Sequence, residues 1–171
     1  MAKRELIGTS EWIEMHLKGL LLDPAHEVPV LILRAVGGNL LLPIWIGLPE
    51  ANAIAMALEG VKTPRPMTHD LLKACVEGLG GVLERVEIWG LLEGTFHARL
   101  RLVRADEKVE IDTRPSDAIA LAVRTEAPIW VAQSVLEAAL SADLATDSSD
   151  DEKLRAWLEQ ARPEDLGKYK M

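Results

Sequence analysis

The stretch EIDTRPSDAIALA, residues 110–122, is the most informative part of this chain. Charged and apolar residues alternate up to Asp112, which predicts a β-strand, and a run of small apolar residues from Ala118 predicts a buried helix. Pro115 suits the first helical position, because its missing N–H would have no partner there. Asp117 falls at the third helical position, where a carboxylate suits the positive end of the helix. The stretch therefore predicts a strand that turns directly into a buried helix.

The rest of the chain continues this pattern of strands and helices. Residues 13–18 alternate between apolar and polar side chains, which predicts a strand with one face in water. The other predicted strands are 28–36, 40–46, 82–90, 95–104, 108–113 and 128–132, and the predicted helices are 49–59, 69–78, 115–125 and 134–140. Short turns join three strands of the second half, which favours antiparallel pairing. We expect an α+β fold: a mixed, largely antiparallel β-sheet with helices packed against it.

Two of the predicted helices are expected to contribute to the core. Helix 49–59 is apolar nearly all round and should be buried. Helix 69–78 has Thr68 as its expected cap, and its core face is predicted to contain Leu71, Leu72, Cys75, Val76 and Leu79. Cys75 is the only cysteine, so an intramolecular disulfide is excluded. Its place on this apolar face favours an inert buried thiol.

The hairpin formed by residues 95–113 allows its register to be predicted. A two-residue turn at 105–106 pairs arginines with acidic residues: Arg101 with Glu110, and Arg99 with Asp112. The same register places Val109 and Ile111 towards the core. Two interpretations of the outward face stay open. It is either a solvated face joined by cross-strand ion pairs, or a polar site near a helix N-terminus, which binds phosphate well. That site would contain His97, Arg99, Asp112 and Arg114.

Composition and charge limit the partners of the chain. Nearly half of its 171 residues are hydrophobic, enough for one sizeable core. Its formal net charge is −8, whereas proteins that bind nucleic acid usually present a basic surface. A nucleic-acid partner would therefore require bound metal ions or a local basic strip. No apolar run has the length of a membrane span or a signal peptide, so we expect no membrane partner and a cytoplasmic location.

The sequence divides into three parts. Residues 1–140 form the predicted domain, residues 141–151 an acidic linker, and residues 152–171 a C-terminal amphipathic helix and tail. One face of that helix is apolar and must dock on its own domain or on a neighbouring subunit; it contains Leu154, Trp157, Leu158 and Ala161. The chain presents more apolar surface than a monomer of this size needs, which predicts a homo-oligomer, most simply a dimer.

A second motif, RPMTHDLL, occupies residues 65–72. Shorter matches accompany it: LPIWIG at 42–47, Glu50, AIAMAL at 53–58 and APIWV at 127–131. Together with residues 110–122, these ordered motifs resemble the bifunctional nuclease domain family. The resemblance extends from about residue 12 to residue 139 and implies that residues 1–140 form a nuclease-like domain.

The resemblance implies a hydrolase that cleaves DNA and RNA without strong sequence preference. On this interpretation a divalent metal ion, magnesium or manganese, activates water and neutralises the phosphate. The candidate metal ligands are Glu50, Asp112 and Asp117. The candidate catalytic residues are His69 or His97 for proton transfer, Arg114 for a phosphate oxygen, and again Asp112 and Asp117.

Each candidate also has a plainer structural interpretation. Asp117 and Glu50 lie where acidic residues stabilise helix starts, and residues 68–70 make a good helix start. His69 and Asp70 should not form a dyad, because adjacent helical side chains point about 100° apart. The alternative function is a non-catalytic ligand-binding or oligomeric assembly module. Metal dependence separates the two functions, since only a nuclease requires a metal for cleavage.

Overall fold

The computed structural model of the protein describes residues 11–23 and 27–145. The predicted C-terminal helix and most of the acidic linker lie outside these residues. No helix within the described part is long and apolar enough to cross a membrane. The locations predicted for the linker and the tail therefore stay predictions.

The described residues form seven strands and four helices in the predicted order. The strands are β1 (Trp12–Leu22), β2 (Pro29–Ala35), β3 (Leu41–Trp45), β4 (Val82–Leu92), β5 (Thr95–Arg104), β6 (Glu107–Thr113) and β7 (Ile129–Ala132). The helices are α1 (Leu48–Leu58), α2 (Thr68–Gly78), α3 (Pro115–Thr125) and α4 (Gln133–Ala145). The last helix extends beyond its predicted end at Leu140.

The strands form one sheet in the order β3-β2-β1-β7-β4-β5-β6. All neighbouring strands are antiparallel except β4 and β7, which are parallel. The α+β prediction is therefore confirmed. On each side of β7 lies a three-stranded antiparallel unit, and each unit is followed by a helix, α1 or α3. This arrangement brings the two helices together over the same face of the sheet.

The core lies between that face and the helices. Helix α3 packs against β4, β5 and α1, and all of its apolar side chains except the partly buried Val123 are buried. Ala118, Ile119, Leu121 and Ala122 belong to one cluster with Val86 of β4 and the other buried residues. Small alanines let α3 lie close to the sheet. The buried helix predicted from residues 110–122 is thus confirmed.

The hairpin register is also confirmed, with Arg101 opposite Glu110 and Arg99 opposite Asp112. Both turn residues, Ala105 and Asp106, have positive φ values of 46° and 68°, as a tight two-residue hairpin turn requires. The prediction that Val109 and Ile111 contribute to the core is wrong, because both are exposed. Strand β6 is the edge of the sheet, so only one neighbouring strand covers it.

Two helix predictions need correction. Helix α1 buries Ala51, Ile54 and Ala55 only, because it contacts α3 and β2 on one side. None of the residues of α2 is buried. Of its predicted core face only Val76 packs against the core, partly buried, whereas Leu71, Leu72, Leu79 and the Cys75 thiol are exposed. Thr68 is the first residue of α2, and Met67 occupies the cap position.

Candidate active site

The site begins where β6 turns into α3. Arg114 is the cap residue in extended conformation, Pro115 is the first helical residue, and Asp117 is the third. The Asp117 carboxylate accepts hydrogen bonds from two side chains. Arg114 Nε lies 2.7 Å from one oxygen, and His69 Nε2 lies 3.1 Å from the other. Asp117 therefore joins α3 to α2 in addition to suiting the helix start.

Arg114 connects this carboxylate to a second one on α1. Its guanidinium lies 2.8 Å from an oxygen of Glu50, which occupies the third position of α1 as Asp117 does in α3. The hydrogen bond to Asp117, followed by that to Glu50, raises the pKa of Arg114. The Arg114 side chain is 65% exposed, so this cation remains accessible from solvent.

Gly47 makes room for the Glu50 carboxylate. Gly47 is the cap residue of α1, and a Cβ atom there would lie 2.3 Å from a Glu50 oxygen. Any side chain at position 47 would therefore move the carboxylate away from Arg114. Gly47, the residue before α1, thus allows the Glu50 carboxylate to lie where it pairs with Arg114.

His69 reaches Asp117 because a neighbouring ion pair holds α2 against α3. Asp70 accepts a hydrogen bond of 2.6 Å from Arg124 Nε and another of 3.0 Å from the Met67 backbone N–H. These contacts confirm that His69 and Asp70 are not a dyad, since each pairs with a different residue of α3. The Asp70 pair therefore fixes the start of α2, where His69 lies.

Arg124 is the anchor of this arrangement. Its side chain is only 8% exposed, and it also donates to the backbone oxygens of Ala120 and Ala53, at 2.8 and 3.0 Å. Lys73 of α2 in turn donates to the Arg124 backbone oxygen at 2.8 Å. Sequence reasoning missed both residues. Arg124 lies in the last turn of α3, where a basic residue ordinarily faces solvent.

The acidic residues of the cluster are held in their charged form. Burial raises the pKa of Asp117, but hydrogen bonds from Arg114 and His69 outweigh burial and leave that pKa below its ordinary value. The hydrogen bond from Arg124, followed by that from the Met67 backbone, lowers the pKa of Asp70. Both carboxylates are therefore charged acceptors at neutral pH.

A cleft of about 340 Å³ opens beside Arg114. Its lining combines polar groups from the starts of α1 and α3 with apolar side chains of β3 and β5: Ile44, Trp45, Glu50, Phe96, Arg114 and Ser116. His69 and Asp117 do not line the cleft, and Asp117 connects His69 to Arg114. The His69 side chain is 12% exposed. The cleft thus presents one cation and one carboxylate, supported by a second layer of polar contacts.

The structure does not bring His97 and Asp112 into this cluster. His97 lies against the Trp89 ring, with centroids 5.5 Å apart. Asp112 lies opposite Arg99 on the edge strand, and its side chain makes no hydrogen bond or ion pair among the described residues. The predicted polar site is therefore not one site. Its Arg114 belongs to the cluster with Asp117, whereas its Arg99 belongs to a second group of charged residues.

The second group is an ionic cluster around Glu87, which sequence reasoning also missed. Glu87 is buried in β4 and pairs with three arginines, Arg85, Arg99 and Arg101, at 2.6, 2.5 and 3.6 Å. Because side chains alternate along a strand, Arg99 and Arg101 point away from the face that holds Ala98 and Leu100. The solvated-face interpretation fits this cluster, in which cross-strand ion pairs cover a buried carboxylate.

The cluster at Arg114 offers two candidate metal ligands. Within the described part of the chain no group of three or more His, Cys, Asp or Glu side chains is arranged around a common point. The carboxylates of Glu50 and Asp117 do converge on Arg114, and such hard oxygen ligands are those that magnesium uses. The donor chemistry therefore fits magnesium or manganese, with Asp112 outside the set.

Comparison with known proteins identifies the family of this chain. The model of the bifunctional nuclease domain matches residues 31–143. An uncharacterised protein of Mycobacterium tuberculosis is 40% identical over 157 residues, which cover 92% of this chain and 90% of that protein. Bifunctional nuclease 1 of Arabidopsis thaliana is 32% identical over 116 residues, and bifunctional nuclease 1 of Oryza sativa subsp. japonica is 30% identical over 112. These matches cover 66% and 64% of this chain but only 36% and 34% of the plant proteins. The chain belongs to the bifunctional nuclease domain family.

Proposed function

We propose that this protein hydrolyses phosphodiester bonds of DNA and RNA in the cleft beside Arg114. The observation that carries the proposal is the bridge Glu50–Arg114–Asp117, which fixes an exposed guanidinium at the cleft. The names of the plant relatives support the same chemistry. A guanidinium suits phosphate oxygens because it presents paired donors in one plane.

In this proposal Arg114 and Glu50 contact the substrate. Arg114 binds a phosphate oxygen of the scissile bond. Glu50 is the carboxylate that lines the cleft, so it is placed to accept the proton of the attacking water. Ser116 also lines the cleft, at the N-terminus of α3, where helix N–H groups favour an anion. These groups contact the backbone of a nucleic acid and read no base, which supports activity on both DNA and RNA.

His69 acts through Asp117 in this proposal. Its imidazole N–H holds the Asp117 carboxylate, and that carboxylate holds Arg114 at the cleft. His69 is therefore a positioning residue here, because it does not line the cleft. His97 lies against Trp89, so His69 is the histidine that we place in the mechanism.

Glu50 and Asp117, which both pair with Arg114, would hold a divalent metal ion, whereas the Asp112 side chain has no hydrogen bond or ion pair with this group. When bound, magnesium or manganese would neutralise the phosphate and activate water. Two carboxylates and one guanidinium leave this group with a net charge of −1, which attracts a cation. Arg114 would have to give up at least one carboxylate to the metal, and its guanidinium is then free for phosphate.

The alternative is a module that binds a phosphate-bearing ligand without cleaving it. The observation that favours it is the neutralisation of Arg114 by two carboxylates, since a neutralised cation holds an anion weakly and reversibly. Both functions use the same cleft. They differ in whether the bound phosphodiester is broken.

The test is cleavage of short fluorescent single-stranded DNA and RNA by the purified full-length protein, with magnesium, manganese or excess chelator. We expect cleavage that chelator abolishes. Arg114→Gln and Glu50→Gln should each lower the rate by about a hundredfold, because each removes a group that contacts the reacting phosphate or water. Arg104→Gln, an exposed arginine at the end of β5, is the matched control and should retain the wild-type rate.

Binding measured by fluorescence anisotropy separates the two functions. Binding that depends on Arg114 without cleavage under any metal condition would establish the alternative. Cleavage at the wild-type rate by both site variants would refute the site itself.

A further inference from the structure

The outer face of α2 is apolar and has no charged residue. It consists of the exposed residues on the side away from α3: Met67, Thr68, Leu71, Leu72, Ala74, Cys75, Gly78 and Leu79. Leu71 is 55% exposed and Leu79 is 72% exposed. The inner face carries His69, Asp70 and Lys73, which make the polar contacts with α3, and Val76, which is partly buried against the core. An amphipathic helix whose polar side faces its own domain leaves its apolar side for another partner.

We propose that the outer face of α2 is a two-fold interface with a second copy of this chain. Leu71, Cys75 and Leu79 lie four residues apart, so they follow one line along the helix. This line is symmetric about Cys75, with a leucine one turn before it and another one turn after it. In an antiparallel crossing at Cys75, Leu71 meets Leu79 of the partner subunit, and the same contact recurs across the axis. A self-complementary surface of this kind is what a two-fold dimer requires.

The residues between the leucines permit a close approach. Ala74 and Gly78 lie on the same face and carry almost no side chain. Small residues at this spacing let the backbones of two helices come near each other. The crossing point therefore combines small residues at the centre with leucines at both ends.

Charge also favours this face for self-association. Each copy has a formal net charge of −8, so two copies repel each other in general. A contact through a face without charged residues brings the fewest like charges together. The face has eight residues, below the roughly 20–30 a side of a standard interface. We therefore expect a dimer that dissociates at micromolar concentrations.

The single cysteine provides a direct probe of the crossing. Cys75 lies at the proposed two-fold axis, and the chain has no other thiol. In the full-length protein, a short bismaleimide should link the two Cys75 thiols and give a covalent species at twice the 18.8 kDa chain mass. Light scattering should show the same doubled mass without the cross-linker at high micromolar concentration.

Matched substitutions test the face itself. Leu71→Asp and Leu79→Asp should each shift the protein to the monomer mass and abolish the cross-link. Leu92→Asp places the same charge at an exposed leucine at the end of β4 and should change neither. Circular dichroism identifies any variant that fails to fold, and exposed positions are expected to tolerate the change.

Three outcomes would overturn the proposal. The first is a monomer at high micromolar concentration that shows no Cys75 cross-link. The second is a dimer that neither leucine substitution affects. The third is a monomer whose Cys75 thiol becomes more reactive in the Trp157→Ser variant, which would assign the face to the C-terminal segment of the same chain. None of these outcomes depends on nuclease activity, so they leave the proposed function to its own test.

Discussion

Helices α2 and α3 each have eleven residues and meet at the same site, yet different interactions hold them in place. Helix α3 buries an apolar face that includes Ile119 and Leu121. Helix α2 buries no residue fully: Val76 is partly buried against the core, and His69, Asp70 and Lys73 make its polar contacts with α3. Packing therefore positions α3, whereas α2 is held mainly by the hydrogen bonds and ion pairs of the site. The histidine of the site thus lies on a helix that adds only one partly buried side chain to the core.

The largest effect on the free energy of unfolding is expected when an apolar side chain of α3 is truncated, and a much smaller one when an apolar side chain of α2 is truncated. Leu121→Ala should lower the free energy of unfolding by about 2–5 kcal/mol, because it leaves a cavity in the core. Leu71→Ala should lower it by less than about 1 kcal/mol, because Leu71 is mostly exposed in one copy. Urea unfolding followed by tryptophan fluorescence measures both, at a protein concentration low enough to dissociate a dimer. Equal losses would show that α2 is packed as α3 is.

The next effect concerns the anchor of α2. Arg124→Met should lower the free energy of unfolding by about 2 kcal/mol, because it removes hydrogen bonds to Asp70 and to the backbone oxygens of Ala53 and Ala120. Arg104→Met, at an exposed position, serves as the control in the same urea titration. A loss no larger than that of the control would mean that the polar contacts do not hold α2.

A smaller effect depends on pH. The pKa of Asp70 is lowered in the folded protein, so its charge stabilises the fold above the unfolded value of about 3.8 and ceases to do so as pH falls through the folded pKa. Asp70→Asn should therefore be less stable than wild type at pH 7, and the difference should shrink below about pH 4. Thermal unfolding between pH 3 and pH 7 measures it, with Asp112→Asn as the control. A difference that stays constant over this range would contradict the lowered pKa.

The smallest effect is expected at an ion pair within α2. Lys73 and Glu77 form an i, i+4 pair at 3.8 Å, in which the Glu77 side chain is largely exposed and the Lys73 side chain is partly exposed. Glu77→Gln should change the free energy of unfolding by no more than about 0.5 kcal/mol. A change above about 1 kcal/mol in urea unfolding would mean that this pair, in addition to Asp70, holds α2 in place.

The two helices also show which features of the fold and the site could be predicted from the sequence and which could not. Residues 110–122 specify α3 locally, since proline, the acidic third position and the alanine run all agree, and the hairpin register followed from its short turn. The periodicity of α2 correctly predicted an amphipathic helix. It did not reveal which side would face the core, because that depends on Arg124, whose partner Asp70 is far away in sequence. The bridge from Arg114 to Glu50 was missed for the same reason, although both residues were candidates.

The most direct test of the proposed site is the nuclease activity of a His69 variant, since the site requires α2 to bring His69 to Asp117. The cleavage rate of a fluorescent oligonucleotide with magnesium or manganese is measured for wild type, His69→Gln and His16→Gln, which alters an exposed histidine of β1. We predict that His69→Gln lowers the rate by at least about tenfold, because Asp117 and Arg114 lose their alignment, and that His16→Gln retains the wild-type rate. A folded His69→Gln variant that cleaves at the wild-type rate would contradict a role for His69 in positioning Asp117 and Arg114.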